Sequence, residues 1–211
     1  MTGKSSKPLE SPSRRIALGS RAPAFVIVAL AALAALVPIG PAAARPAKHE
    51  PAVASCASAS AQPTRATTAQ AELAVLCLLN AERARRGLRE LHLNSKLTKA
   101  ARFQSNDMVD RHYFDHEYPG RPTLVKRIKR TGYLVRAQAW SIGENIAWGT
   151  GGYSTPAWLV RAWMGSSGHR ENILDPSFRD IGIGIVPGAP ADDWQDDGSA
   201  ATATTDFGKR F

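Results

Sequence analysis

The chain has 211 residues, 27 Lys and Arg against 18 Asp and Glu, a formal charge of +9 and two cysteines. That length suits one domain with an appendage and excludes a large multidomain enzyme. Two cysteines exclude a four-thiolate zinc site and a disulfide-dense scaffold.

The charge is uneven along the chain. Lys4, Lys7, Arg14, Arg15 and Arg21 precede an uncharged, Ala-rich stretch that ends in Ala42-Ala43-Ala44. A basic segment, an apolar segment and an Ala-x-Ala site read as a secretory signal peptide over residues 1–44. The competing reading is a membrane anchor over residues 22–39, against which Pro23 and Pro38 count. Ser13-Arg14-Arg15 resembles a twin-arginine export signal only weakly. Without residues 1–44 the balance falls to 22 basic against 17 acidic residues. No aromatic-interleaved basic strand is present, so no nucleic-acid partner is expected.

Residues 45–66 are rich in Ala, Pro, Ser and Thr and read as a flexible leader. The remaining residues, 67–211, form the expected folded domain. Cys56 lies in the leader and Cys77 in the first helix. Export implies an oxidising compartment, so the two are expected to pair; two independent thiols are the alternative.

That first helix spans about Thr68 to Arg86, with Leu73, Leu76, Cys77 and Ala84 at helical spacing. Arg83, Arg85, Arg86 and Arg89 read as a solvated face. A second helix runs from Ser95, its expected N-cap, to about His112, with Leu97, Ala100, Ala101 and Met108 inside. Thr123 opens a short helix with its basic residues outside, and Gly132 closes it. Trp140 to Trp148 reads as an extended segment. Thr155-Pro156 starts another helix, with proline at its first position. Ile181, Ile183 and Ile185 alternate with Gly182 and Gly184, giving a strand with one nearly bare face. Asp192 to Gly198 is an acidic turn, and Ala201 to Phe207 returns as the second strand of a hairpin. Helices early and strands late give an α+β fold.

Of five histidines, His49 and His92 read as solvated; His116 and His169 sit beside aromatic or glycine-rich segments. His116-Glu117 is not a zinc-protease helix, because Pro119 and Gly120 stand where that helix must continue. Gly165-Ser166-Ser167-Gly168 is not a nucleophile elbow. Asp192, Asp193, Asp196 and Asp197 lack calcium-loop spacing.

The order of segments is more specific than any one of them. Leu78-Leu79-Asn80-Ala81-Glu82-Arg83 is followed by Phe114-Asp115-His116, then Gly143-Glu144-Asn145-Ile146-Ala147. Trp163 to Leu174, containing Gly168-His169-Arg170-Glu171-Asn172, and Phe178 to Gly184 come next. Over about residues 70–208 this resembles the CAP superfamily of cysteine-rich secretory, antigen 5 and pathogenesis-related proteins, in particular its bacterial SCP-like branch. The resemblance implies a three-layer α-β-α sandwich with a small central antiparallel sheet. It also implies a cleft in which His116, Glu144 and His169 meet. A second glutamate found in many relatives has no counterpart in Gly165-Ser166-Ser167, and Glu171 does not replace it on spacing.

Two imidazoles and a carboxylate could hold zinc or another divalent metal and leave a water in the fourth position. In that case His116, Glu144 and His169 are catalytic candidates of a metal-dependent, peptidase-like hydrolase. No serine or cysteine nucleophile accompanies them. The resemblance favours instead a secreted, monomeric binding module for a lipid, a small hydrophobic ligand or a protein partner. A third reading makes the His/Glu cluster purely structural. Fold alone does not choose among them.

Overall fold

The computed structural model describes residues 14–18, 56–191 and 198–211. Most of the expected signal segment, the anchor alternative over 22–39 and most of the acidic turn lie outside them. Arg14–Leu18, inside the expected export signal, forms strand β1, which no sequence pattern announced. It pairs antiparallel with the segment Trp140–Glu144.

The order after β1 is helix α1 (Thr68–Ala84), strand β2 (His92–Leu93), α2 (Ser95–Asp110), α3 (Leu124–Arg130), β3 (Trp140–Gly149), α4 (Pro156–Gly165), α5 (Ser167–Leu174), β4 (Asp180–Pro187) and β5 (Ala201–Arg210). The sheet order is β1-β3-β5-β4-β2. β3, β5 and β4 are antiparallel, as expected; the two-residue β2 joins β4 in parallel and makes the sheet mixed.

Helix ends follow local chemistry. Thr155 accepts from the Trp158 amide at 3.4 Å, with Pro156 in the first turn. Thr123 accepts from the Lys126 amide. The cap of α2 is Asn94, not Ser95: its Oδ1 accepts from the Lys96 and Leu97 amides. Asparagine and serine cap equally well, so a one-residue shift costs nothing.

Side chains alternate across a strand, so each strand serves two layers. Ile181, Ile183, Ile185, Ala147, Ala201, Ala203 and Phe207 pack with α1, α4 and α5, around Leu79, Leu159, Trp163 and Ile173. The opposite face receives α2 and α3. There Gly182 and Gly184 explain the bare side of β4. A Cβ at Gly182 would lie 2.0 Å from the Leu97 carbonyl carbon, and one at Gly184 2.3 Å from the Arg102 amide nitrogen. The glycines let α2 lie directly on the backbone of the sheet.

Two expectations about α1 change. Leu73 is 56% exposed, and the buried stripe is Ala71, Ala74, Val75, Leu78 and Leu79. Arg83 is not on a solvated face: it is buried and donates to the carbonyls of Ile173, Asp175 and Arg89. It ties α1 to the end of α5. Cys56 and Cys77 form a disulfide, with a Cα–Cα distance of 5.8 Å.

Candidate functional site

The Gly143-Glu144-Asn145 segment lies in the middle of the molecule, and each residue has a separate task. Gly143 leaves room for Asn172 of α5; a Cβ there would be 2.8 Å from Asn172 Oδ1. Asn145 points toward α5. Its Nδ2 donates to the His169 carbonyl at 3.1 Å, and its Oδ1 accepts from Asn172 Nδ2 at 2.9 Å. Asn172 Nδ2 also donates to the Glu144 carbonyl at 3.2 Å. Glu144, one residue earlier, points to the α2/α3 face.

On that face Glu144 is fully buried and both its oxygens are taken. His116 Nδ1 donates to Oε1 at 2.7 Å, and Arg127 Nη2 donates to Oε2. Burial pushes the Glu144 pKa up, but the Arg127 charge and the His116 and Arg127 hydrogen bonds outweigh it and hold the carboxyl below its ordinary range. Arg127 Nη1 also donates to the carbonyls of His116 and Pro122. One guanidinium therefore anchors the 111–123 loop and the strand together. Asp107 holds the same loop from below, accepting from Tyr113 Oη at 2.8 Å and from Arg121 Nε at 2.9 Å.

His116 and Glu144, expected to meet, are in direct contact. His169 reaches the same stretch of β3 by its backbone, bound to Asn145 on the opposite side of the sheet from the Glu144 carboxyl. The exposed Glu171 takes no part in the cluster, in line with its spacing.

Two participants escaped the sequence reading. Arg127 stands among the basic residues expected on the outside of α3, yet it is only 3% exposed. Asp206 was an unremarked residue of β5. In the sheet it stands directly opposite Glu144 and is fully buried. Direct cross-strand neighbours on one face have Cβ atoms about 4.5–5.5 Å apart. No N–H or hydroxyl donor among the described residues reaches either Asp206 oxygen. The Asp206 pKa is raised well above its ordinary value, by burial first and then by the Glu144 charge and the hydrogen bond between the two carboxyls. A single nearby guanidinium supports one carboxylate, so the arrangement favours the protonated form of Asp206. The signal was the polar alternation Thr202, Thr204, Asp206 on one side of a strand whose other side is apolar.

The donor set does not fit a metal ion as it stands. Glu144 has no free oxygen, the His116 Nδ1 is committed to it, and a guanidinium occupies the position a cation would share. Among the described residues no group of three or more His, Cys, Asp or Glu side chains is placed to hold a metal.

Known proteins are similar to this chain in sequence and fold. The family model for the cysteine-rich secretory protein family, CAP, matches residues 76–195, more than half of the chain. An uncharacterized protein of Bacillus subtilis, YkwD, is 44% identical over 107 residues, covering 51% of this chain and 39% of its own length. An uncharacterized membrane protein of the same organism, YlbC, is 30% identical over 106 residues, covering 50% of this chain and 29% of its own length. The chain thus spans well under half the length of these curated relatives. A crystal structure of an extracellular SCP-domain protein from Bacillus anthracis superposes with a TM-score of 0.53 at 28% identity, over 69% of this chain and 43% of that one. An outer surface protein of Borrelia burgdorferi shares the fold, with a TM-score of 0.52 at 20% identity, over 65% of this chain and 90% of that one. The chain belongs to the CAP family, and its domain is of the bacterial SCP type.

Proposed function

We propose that the protein is an exported, non-enzymatic binding module whose His116–Glu144–Arg127 cluster braces the domain. The observation that carries this reading is the state of Glu144. It is the single carboxylate mapped from the family pattern, it is fully buried, and both its oxygens are bound internally. A general base needs a free lone pair within reach of a substrate proton. Here both oxygens are buried and engaged in holding a loop and a helix to the sheet. Binding then falls to the surface that the brace supports, with a lipid, a small hydrophobic molecule or an extracellular protein as partner.

Export is supported by the disulfide, which persists in oxidising compartments. The extracellular relative from Bacillus anthracis points the same way. No helix among the described residues is long and apolar enough to cross a membrane.

The test uses protein collected from the culture medium. Its N-terminus is expected at Arg45. Organic extraction followed by mass spectrometry should recover a bound species that a denatured control lacks. Turnover of peptide or ester libraries that disappears in a folded Glu144→Gln variant would replace this reading with the hydrolase.

A further inference from the structure

Between α2 and α3 lies a cavity of about 230 Å³, lined by Lys99, Ala100, Phe103, Arg127, Arg130 and Thr131. The lining holds three cations and no carboxylate. Lys99 and Arg130 are exposed at its mouth, and Ala100 and Phe103 give it an apolar wall.

Arg127 is the unusual member. Its two terminal nitrogens are bound to the His116 and Pro122 carbonyls and to Glu144. Its Nε is buried and has no acceptor among the described residues. An unsatisfied buried donor is costly, and on a charged group more so. An acceptor that entered the cavity and reached Nε through a small displacement of the Arg127 side chain would remove that cost and add a charge-assisted hydrogen bond. The cavity is smaller than the usual drug-sized pocket of about 300–1,000 Å³. Its volume suits a short apolar body.

We propose that this cavity binds a small organic monocarboxylate. The carboxylate meets Arg127 Nε and the rim cations Lys99 and Arg130, and a short apolar body rests on Ala100 and Phe103. This goes beyond the binding module proposed above and does not depend on it. The cavity can be filled whether the His/Glu cluster is a brace or a reaction centre.

The test follows the Arg127 Nε–H resonance by ¹H–¹⁵N NMR while the disulfide-bonded secreted protein is titrated with butyrate, butanol or inorganic phosphate. Butyrate should shift that resonance in a saturable way. Butanol, which lacks the charge, and phosphate, which lacks the apolar body, should each bind at least about tenfold more weakly. The surface variants Lys99→Ala with Arg130→Ala, and Phe103→Ala alone, should each weaken butyrate by about tenfold while the protein stays folded. No shift with butyrate up to ~10 mM would overturn the proposal. Equal binding of butanol or phosphate would overturn the ligand class. Unchanged affinity in both variants would mean that butyrate binds elsewhere.

Discussion

The two faces of the central sheet are built from the same strands and hold together by different physics. The face under α1, α4 and α5 is an apolar interior of isoleucine, alanine, phenylalanine and tryptophan, broken by the Asn145–Asn172 pair. The face under α2 and α3 has apolar clusters of its own, around Leu97, Ile128 and Ile142 and around Met108 and Ile146, but it also carries Glu144, Asp206, Thr202 and Thr204, all fully buried. Glycine at 182, 184 and 208 replaces bulk there, so that helix and tyrosine can approach. Burial of apolar area stabilises the first face with little dependence on pH. The second adds to such burial charges that must be paired once they are removed from water, so part of its contribution changes with protonation.

Removing the charge partner should show the difference most strongly. Arg127→Met leaves Glu144 buried without its guanidinium, a loss of about 3–5 kcal/mol by urea denaturation at neutral pH. The folded carboxyl lies below its ordinary 4.5, so its contribution is present above that value and lost as pH falls through the folded pKa. The gap between wild type and variant should therefore close in acid. Ile183→Ala on the apolar face should cost about 2–5 kcal/mol and keep that cost across the same pH range. Parallel pH profiles for the two variants would abolish the distinction between the faces.

The disulfide tests the apolar side from outside. Cys56 and Ala59 pack against its core, and Cys77 is in α1. Replacing both cysteines by serine releases a loop with a sequence separation of 21 and should cost roughly 3 kcal/mol. The His116–Glu144 contact should be unaffected, which the imidazole NMR signals would report.

The legibility of the two faces in the sequence differed for the same reason. Period-two and helical patterns record burial of apolar residues, so Ile181, Ile183 and Ile185, the Leu97–Met108 stripe and the Thr155-Pro156 start could be read directly. Leu73 misled because a leucine at helical spacing can still face solvent. α5 carries no apolar period and forms around Asn172, whose partners are on a distant strand. Arg83 and Arg127 looked like ordinary surface cations because their acceptors are carbonyls and carboxylates brought in by the fold. Motif order located His116 and Glu144. Asp206 required the strand register, which pairs it with Glu144 across a gap of sixty-odd residues that no local pattern spans.

Asp206 also provides the smallest and most discriminating test. Its folded pKa is raised above the ordinary 3.8, so the stability it contributes is fully present below that value and is lost as pH rises through the folded pKa. Asp206→Asn keeps the size, does not ionise, and presents an amide donor to Glu144. Near pH 4 the variant and wild type should be almost equally stable. By pH 8 the variant should be the more stable by about 1–2 kcal/mol, because wild type must either keep a proton that solvent no longer supplies or hold two carboxylates beside one guanidinium. Urea denaturation at several pH values measures the difference directly. A variant less stable than wild type at every pH would mean that Asp206 is ionised and is itself the counter-charge of Arg127. The acid pair would then be a salt-bridge triad, and the polar face would resemble the apolar one in its indifference to neutral and alkaline pH.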